Sequence, residues 1–235
     1  MRIGAPPAPL PRPDHLAQAL SQAAGRLGHR PAVTVLHADS REEQGFASLA
    51  QWAAKGAHLL QLDLLLEPGD AVALVGPPGW LPVAVAQACW WVGVAVTDGP
   101  ASVAVVHESY QPPDTDDVLW FGDAVDGSPV GEPPGEPWAV AVQSFPDQPP
   151  MPRATWDALA LVTSERTWTH ADLLDEALAW GDRGGLGIDI PGQVPLERWL
   201  AAAGVRPLLT GRPTVLLRGA TRDAAEADAV ARWLA

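Results

Sequence analysis

Residues 68–98 read PGDAVALVGPPGWLPVAVAQACWWVGVAVTD, and this segment indicates the class of fold. The apolar run at 71–75 lies between a Pro-Gly-Asp turn and a Gly-Pro-Pro-Gly turn, which is typical of a short buried strand. Residues 81–92 are apolar on all sides and long enough for three helical turns, and Gly93 ends this helix. The branched residues at 94–96 predict a second buried strand. The segment therefore predicts a parallel β-α-β unit that is covered on both faces.

The rest of the chain alternates helical and strand patterns. Further helices are predicted at 16–27, 49–61, 170–180, 195–203 and from 222 onward, with strands at 32–37, 102–107, 117–122, 137–144, 159–163 and 214–217. Gly204 is predicted to end the helix at 195–203, Thr169 and Asp172 form a predicted capping box, and the charged residues 41–44 predict a loop. We expect an α/β fold with a parallel or mixed layered sheet flanked by helices. The prolines in residues 1–13 predict a disordered lead-in, followed by a single domain at 14–235.

Charge and hydropathy exclude several classes of function. The formal net charge is −13, which argues against nucleic-acid or anionic-membrane partners because phosphate groups repel an acidic surface. The longest apolar run, residues 81–96, contains Pro82 and Gln87 and is shorter than a membrane span. The first residues have one early arginine and lack the apolar region of a secretory signal. We therefore expect a cytoplasmic protein.

Residue types that often serve in catalysis offer few candidates. The single cysteine, Cys89, lies inside the apolar helix at 81–92 and is predicted to be a core residue rather than a nucleophile. The single lysine, Lys55, is predicted to be solvated on the polar side of its helix. The six histidines show no paired ligand spacing, so no metal site is predicted.

Two short groups of residues contain parts of known catalytic or nucleotide sites. Ser164, His170 and Asp172 are the residue types of a hydrolase triad, but a strand end and a capping box explain them better, since no G-x-S-x-G sequence surrounds the serine. Residues 184–187 are glycine-rich, but they follow a predicted helix and lack the G-x-G-x-x-G spacing of a dinucleotide site. Most of the eleven tryptophans are predicted to lie in the core, although four could instead line a pocket or a partner surface, namely Trp90, Trp91, Trp168 and Trp199.

Several landmarks follow one another in a specific order. An alanine-rich helix ends in Ala-His-Leu-Leu at 57–60, Leu-Glu-Pro-Gly-Asp at 66–70 leads into the β-α-β unit, and Pro-Leu-Leu-Thr-Gly-Arg-Pro-Thr-Val-Leu-Leu occupies 207–217. This order resembles the N-terminal half of the large domain of adenylate-forming enzymes, the superfamily of acyl-CoA synthetases, nonribosomal-peptide adenylation domains and luciferases. The resemblance covers nearly all of this chain and about half of the family domain. Short actinobacterial proteins of uncharacterised function are similar in build.

The resemblance also locates a phosphate site. In the family, a strand leads to a loop of the form T-S-G-T-T-G-x-P-K-G, whose backbone N–H groups and lysine surround the triphosphate of ATP. Thr163 and Ser164 match the start of this loop, and His-Ala-Asp-Leu at 170–173 matches its exit. The glycines and the lysine are absent, and Glu165 places a negative charge where phosphate oxygens would lie. The resemblance implies that Thr163 and Ser164 are the remnant of a phosphate loop, with no cofactor unless this remnant still binds ATP and magnesium.

These features support three hypotheses of function. The first is a truncated, non-catalytic homologue of AMP-dependent acyl-CoA synthetases that acts as a binding or interaction scaffold. A second copy or a protein partner would cover the missing half-domain, and a small acyl or nucleotide compound is a possible ligand. The second is an acyl-activating component, of the AMP-forming acid-thiol ligase type, that another subunit completes. The third is a stand-alone α/β binding domain whose likeness to the family is only architectural.

Overall fold

The computed structural model describes residues 12–181, 184–189, 194–228 and 230–234. The predicted disordered lead-in lies outside these residues except for Arg12 and Pro13. The helices are α1 (Leu16–Leu27), α2 (Phe46–Leu62), α3 (Trp80–Val92), α4 (Trp138–Ala141), α5 (His170–Ala179), α6 (Leu196–Trp199) and α7 (Arg206–Thr210), with a π-helical segment (Leu200–Val205) between α6 and α7 and a 3₁₀ helix (Arg222–Asp228). The strands are β1 (Pro31–His37), β2 (Arg41–Gly45), β3 (Ala71–Val75), β4 (Ala95–Thr97), β5 (Val103–His107), β6 (Asp117–Phe121), β7 (Glu136–Pro137), β8 (Leu159–Val162), β9 (Thr167–Thr169), β10 (Gly185–Asp189), β11 (Thr214–Arg218) and β12 (Val230–Leu234).

Seven of the described strands form one sheet in the order β7-β6-β5-β3-β4-β8-β9. Strands β3 and β4 are parallel neighbours, with Val72 opposite Val96, and α3 connects them. This confirms the predicted β-α-β unit. Only β9 runs antiparallel to its neighbour, so the carboxyl ends of the other six strands lie along one edge of the sheet.

The other described strands form a five-stranded sheet in the order β12-β10-β11-β1-β2. Strand β1 pairs in parallel with β11, with Val33 opposite Thr214, which joins the beginning of the chain to its last third. The edge strand β2 is antiparallel to β1. The two sheets confirm the predicted α/β class with mixed, layered sheets.

The helices lie between the two sheets and share one core with both. Every residue of α3 is buried, which explains why its sequence is apolar on all sides. The inner faces of both sheets contribute to the same cluster of buried side chains, which includes Val33 and Leu216 from one sheet and Val72 and Val105 from the other. Among the helices that the structure describes, none is both long and apolar enough to cross a membrane.

Two segments, one predicted as a loop and the other as a strand, have a different secondary structure. Residues 41–44 are not a loop but part of β2, where the Arg41 and Glu43 side chains pair at 2.6 Å on the exposed edge. Residues 137–144 are not a strand, because the chain forms the short helix α4. Trp138 is fully buried against Gly56 of α2 while Val140 is exposed, which breaks the alternation that a strand requires.

Two predicted helices near the C-terminus also differ from the structure. The helix predicted at 195–203 continues through the π-helical segment to Thr210, because Gly204 packs beside Trp90 and the left-handed Gly211 ends the helix instead. The helix predicted from Arg222 is a 3₁₀ helix followed by β12, which pairs in parallel with β10. Strand β10 contains most of the glycine-rich stretch, and Gly187 leaves room for the Trp233 ring.

Candidate functional site

The segment that contains Thr163 and Ser164 is a tight hairpin between β8 and β9. The backbone N–H of Thr163 donates to the carbonyl oxygen of Arg166 at 2.9 Å, and the Thr163 hydroxyl donates to the same oxygen at 3.0 Å. The backbone N–H of Arg166 in turn donates to the Thr163 hydroxyl at 3.2 Å. Ser164 and Glu165 are exposed at the tip of this turn. The two predicted site residues, Thr163 and Ser164, therefore lie side by side on a closed turn.

The exit from the hairpin is a helix cap. Thr169 and Asp172 form the predicted capping box at the start of α5, with reciprocal hydrogen bonds of 2.9 Å and 3.1 Å. The backbone and hydroxyl of Thr169 bond to the Asp172 carboxylate and lower its pKa. The Arg166 guanidinium lies 3.5 Å from this carboxylate and 3.9 Å from the centre of the Trp168 ring. The Arg166 guanidinium is thus held between the Asp172 carboxylate and the Trp168 ring.

The structure does not assemble a hydrolase triad from Ser164, His170 and Asp172. His170 is fully buried, and its Nδ1 accepts a hydrogen bond from the backbone N–H of Leu16 at 3.2 Å. Burial, helped by the nearby His15, lowers the pKa of His170 to about 3, so the ring is neutral. The Asp172 carboxylate bonds to Thr169 rather than to His170, and Ser164 is exposed. The predicted capping box is confirmed, whereas Ser164 lies on the turn two residues beyond the end of β8 rather than at a strand end.

A cleft opens beside the hairpin at the carboxyl ends of β4 and β8. Its volume is about 400 Å³, and one wall is formed by Val162, Thr163 and Ser164. The other wall is formed by residues 97–100, where the Thr97 hydroxyl accepts a hydrogen bond from the backbone N–H of Gly99 at 2.9 Å. Asp98 is the one charged residue in the lining of this cleft. The cleft can therefore hold a small neutral or cationic group more favourably than a phosphate.

The sequence analysis missed the second wall of this cleft. The polar sequence Thr-Asp-Gly-Pro at 97–100 directly follows a predicted buried strand, and that position is a signal, because ligands of open α/β sheets bind at the carboxyl ends of strands. The pairing of β4 with β8 could not be read from the sequence, since more than 60 residues separate them. It is the tertiary structure that brings Asp98 and Ser164 to the same cleft.

Most of the remaining candidate residues are buried or make hydrogen bonds that stabilise the fold. Cys89 is buried, and burial raises the pKa of its thiol, which confirms a core residue. The tryptophans at 90, 91 and 199 are buried, as predicted for the core, whereas Trp168 is partly buried under Arg166. Lys55 is not simply solvated: its Nζ donates to the carbonyl oxygen of Phe145 at 2.7 Å and lies 3.1 Å from the Asp147 carboxylate. Within the described ranges, no group of three or more potential ligands is arranged to hold a metal ion.

The most informative comparison is with solved structures. An acyl-CoA synthetase of Brucella canis superimposes on this chain with a TM-score of 0.73 at 18% identity, over 98% of this chain and 48% of the enzyme. A long-chain-fatty-acid-CoA ligase (FadD1) of Archaeoglobus fulgidus gives 0.70 at 16% identity, over 96% and 51%. The N-terminal domain of FACL13 of Mycobacterium tuberculosis gives 0.65 at 16% identity, over 90% and 59%. This chain has the fold of the N-terminal domain of acyl-CoA synthetases.

The sequence comparison adds a match over part of the chain. A TIGR03089 family protein of Mycobacterium tuberculosis is 39% identical over 67 residues, which is 28% of this chain and 28% of that protein. No protein-family model matches the sequence. The chain spans about half the length of the full acyl-CoA synthetases with which it superimposes, and the match confirms the resemblance found in the order of its segments.

Proposed function

We propose that this chain is a non-catalytic binding or interaction scaffold built on the acyl-CoA synthetase fold. The observation that carries the proposal is the closed turn between β8 and β9. A loop that surrounds a phosphate presents several backbone N–H groups to one anion. In this turn the N–H groups of Thr163 and Arg166 are bonded inside the hairpin, at 2.9 Å and 3.2 Å. A nucleotide triphosphate therefore lacks the cradle that the family's activation chemistry requires.

The charges around the turn support the same proposal. Glu165 is exposed at its tip, and Asp98 lies in the cleft beside it. Like charges repel, and the repulsion at an exposed site is reduced by solvent, so these carboxylates disfavour a triphosphate without excluding it by themselves. Arg166 does not compensate, because it is held by Asp172 and Trp168.

The experiment is to titrate the purified chain with ATP and magnesium by calorimetry and to measure ATP–pyrophosphate exchange with a panel of carboxylic acids. An active acyl-CoA synthetase serves as the positive control. We expect no saturable heat and no exchange with this chain. Magnesium-dependent ATP binding that is lost on changing Ser164→Ala would contradict the proposal.

A matched variant distinguishes the two features that are expected to prevent ATP binding, the closed turn and the charge of Glu165. Glu165→Gln removes the charge at the tip but leaves the bonds between Thr163 and Arg166 in place. We expect this variant to remain without ATP binding, because the turn and not the charge is the main obstacle. Exchange that appears only after a second polypeptide is added would instead support the hypothesis of an enzyme completed by another subunit.

An exposed apolar surface beside the hairpin supports an interaction role. Trp156 is 63% exposed and Leu159 is 39% exposed, and the carbonyl oxygen of Trp156 accepts a hydrogen bond from Ala171 of α5 at 3.1 Å. Contiguous exposed apolar patches mark interaction surfaces, and Trp156 and Leu159 are three residues apart in the chain. Sedimentation over a range of concentrations tests whether a second copy covers this surface. Self-association that is weakened by Trp156→Ser supports the second copy, whereas a monomer at all concentrations supports a different partner.

A further inference from the structure

Three side chains meet where the carboxyl ends of strands from both sheets converge. His107 ends β5 and Arg218 ends β11, while Asp123 follows β6 by two residues. The Arg218 Nη1 lies 2.6 Å from the Asp123 Oδ1, and the His107 Nε2 lies 3.2 Å from the same oxygen. The Arg218 Nη2 is 3.0 Å from the His107 Nε2. These contacts join the five-stranded sheet to the seven-stranded sheet.

His107 is positioned to donate to the Asp123 carboxylate. Its side chain is only 2% exposed, and its Nδ1 accepts a hydrogen bond from the backbone N–H of Ser109 at 3.2 Å. In a neutral imidazole with an accepting Nδ1, the proton is on Nε2. With this tautomer His107 and Arg218 both direct N–H groups at one carboxylate oxygen, and the 3.0 Å contact between the His107 Nε2 and the Arg218 Nη2 joins two donors rather than a donor and an acceptor. Converging N–H donors, one of them charged, are the arrangement that binds an oxyanion.

Asp123 belongs to a short loop, residues 122–127, that covers this position. The backbone N–H of Gly122 donates to the carbonyl oxygen of Gly127 at 2.9 Å, which closes the loop on itself. Gly127 has a φ of +79° and rests directly on Leu81 and Trp80 at the start of α3. At the tip, Val125 is 82% exposed. The loop is thus attached through Gly127, through the Asp123 carboxylate and through the Asp123 backbone N–H, which bonds to Glu108.

The loop lies over the place where an open α/β sheet binds its ligands. From β3 the chain moves to β4 on one side and then returns to β5 on the other, so the strand order reverses between β3 and β5. Crevices at such a reversal, at the carboxyl ends of the strands, are the common ligand sites of these sheets. A cleft of about 360 Å³ already opens beside the loop, lined by Asp123 and Val125 on one side and by the 37–44 segment on the other.

We propose that Arg218 and His107 form a binding site for a small oxyanion, a carboxylate or phosphate group, and that Asp123 closes this site by occupying it as an internal anion. A ligand opens the site by displacing the Asp123 carboxylate and the loop that carries it. The site is separate from the β8–β9 hairpin, so it does not depend on the absence of ATP binding.

Two other carboxylates nearby have partners of their own, whereas Asp39 is exposed in the lining of the cleft. Glu42 lines the same crevice, but its carboxylate lies 3.0 Å from the His37 ring. Glu108 accepts hydrogen bonds from the backbone N–H groups of Val130 and Gly131, at 2.9 Å and 2.7 Å. Burial raises the pKa of Glu108, but these bonds together outweigh burial and lower it. Asp123 is therefore the carboxylate that competes directly with a ligand for Arg218.

The test compares the thermal unfolding midpoints of the wild-type chain and Asp123→Asn in increasing phosphate or acetate, at an ionic strength kept constant with sodium chloride. The wild-type midpoint should respond weakly. The variant, which keeps the shape of the side chain without its charge, should unfold earlier and regain stability in a saturable manner, with an apparent Kd at least tenfold lower than that of the wild type. The phosphate and acetate arms show which oxyanion the site prefers.

Two controls make the result specific to this site. Asp126→Asn changes another carboxylate of the same loop, which accepts a hydrogen bond from the backbone N–H of Ser128 at 3.0 Å, and should respond only as weakly as the wild type. The double change Asp123→Asn with Arg218→Met should abolish the response. An equal response in the double variant, or none in a folded Asp123→Asn chain, would overturn the proposal.

A measurement on the wild-type chain covers the case in which Asp123→Asn does not fold. Phosphate at constant ionic strength should shift the ring ¹⁵N resonances of His107 in a saturable manner, while those of the exposed His29 stay constant. Resonances of His107 that do not move up to the highest phosphate concentration would contradict the proposal.

Discussion

At the scale of single residues, the surroundings of a side chain decide whether it can act chemically. His170 and Thr163 both match positions of the family's motif, yet one is fully buried beneath α1 and the other is bonded within its own turn. The sequence correctly predicted the capping box of Thr169 and Asp172, since that signature is local. It could not predict that the backbone N–H of Leu16, far away in the chain, would donate a hydrogen bond to the Nδ1 of His170.

The low pKa of His170 predicts an acid-dependent loss of stability. The folded pKa of about 3 lies below the ordinary value of 6.5, so at pH values between the two the unfolded state binds a proton that the folded state does not. The stabilisation is complete above pH 6.5 and is lost as the pH falls, by about 1.4 kcal/mol per unit. His170→Asn keeps an acceptor for Leu16 without this titration. Between pH 7.5 and pH 5, urea unfolding should show a loss that is about 2 kcal/mol smaller in the variant.

His29→Asn is the matched control for this prediction. His29 is exposed, so its replacement should leave the pH dependence of the free energy of unfolding unchanged. If His170→Asn and the wild type lose the same free energy of unfolding between pH 7.5 and pH 5, the assignment of a buried, neutral His170 is wrong.

At the scale of secondary-structure elements, close packing outweighs local preference in several places. The strand-like sequence at 137–144 forms a helix so that Trp138 can lie against Gly56 of α2. The same glycine brings α2 close to α3, since a Cβ at position 56 would lie 2.9 Å from the Cβ of Ala88. A single glycine therefore sets the spacing of two helices and a neighbouring ring.

Gly56→Ala should destabilise the protein although alanine is the better helix former. The new methyl group would lie 2.7 Å from the Trp138 ring, and overpacking of this kind costs about 1–3 kcal/mol, against about 1 kcal/mol gained from the helix propensity of alanine, so the net loss is up to about 2 kcal/mol. Gly25→Ala in α1 is the control, because no atom lies within 4 Å of its added Cβ. That variant should gain about 0.5–1 kcal/mol. Urea unfolding of both variants measures the difference, and an equal gain in both would refute the close α2–α3 contact.

At the scale of the whole molecule, one core joins both sheets. The apolar helix α3 is surrounded by α1, α2 and the π-helical segment, and the indole Nε1 of Trp90 donates to the carbonyl oxygen of Ala160 in β8 at 2.8 Å. Arg218 and Asp123 add a polar link between the sheets at their carboxyl ends. Separation of the sheets would expose the shared core to water, which is unfavourable because buried apolar area dominates stability.

This shared core predicts a single cooperative unfolding transition for residues 14–235. Far-UV circular dichroism and tryptophan fluorescence should give the same midpoint in urea, because both sheets lose their structure together. Arg218→Met should lower this midpoint without splitting the transition, since it removes one polar link and leaves the apolar core intact. Two separate midpoints in the wild-type chain would show that the sheets belong to independent units.

The sequence by itself determined the β-α-β unit at 68–98, the end of α3 at Gly93 and the capping box of Thr169 and Asp172, because each of these depends on residues that are neighbours in the chain. Only the tertiary structure decided that β4 meets β8, that β12 joins β10, and that His107, Asp123 and Arg218 meet between the sheets. The physical reason is that strand pairing and ion pairing between distant segments depend on the shared core, in which a local preference is one contribution among many.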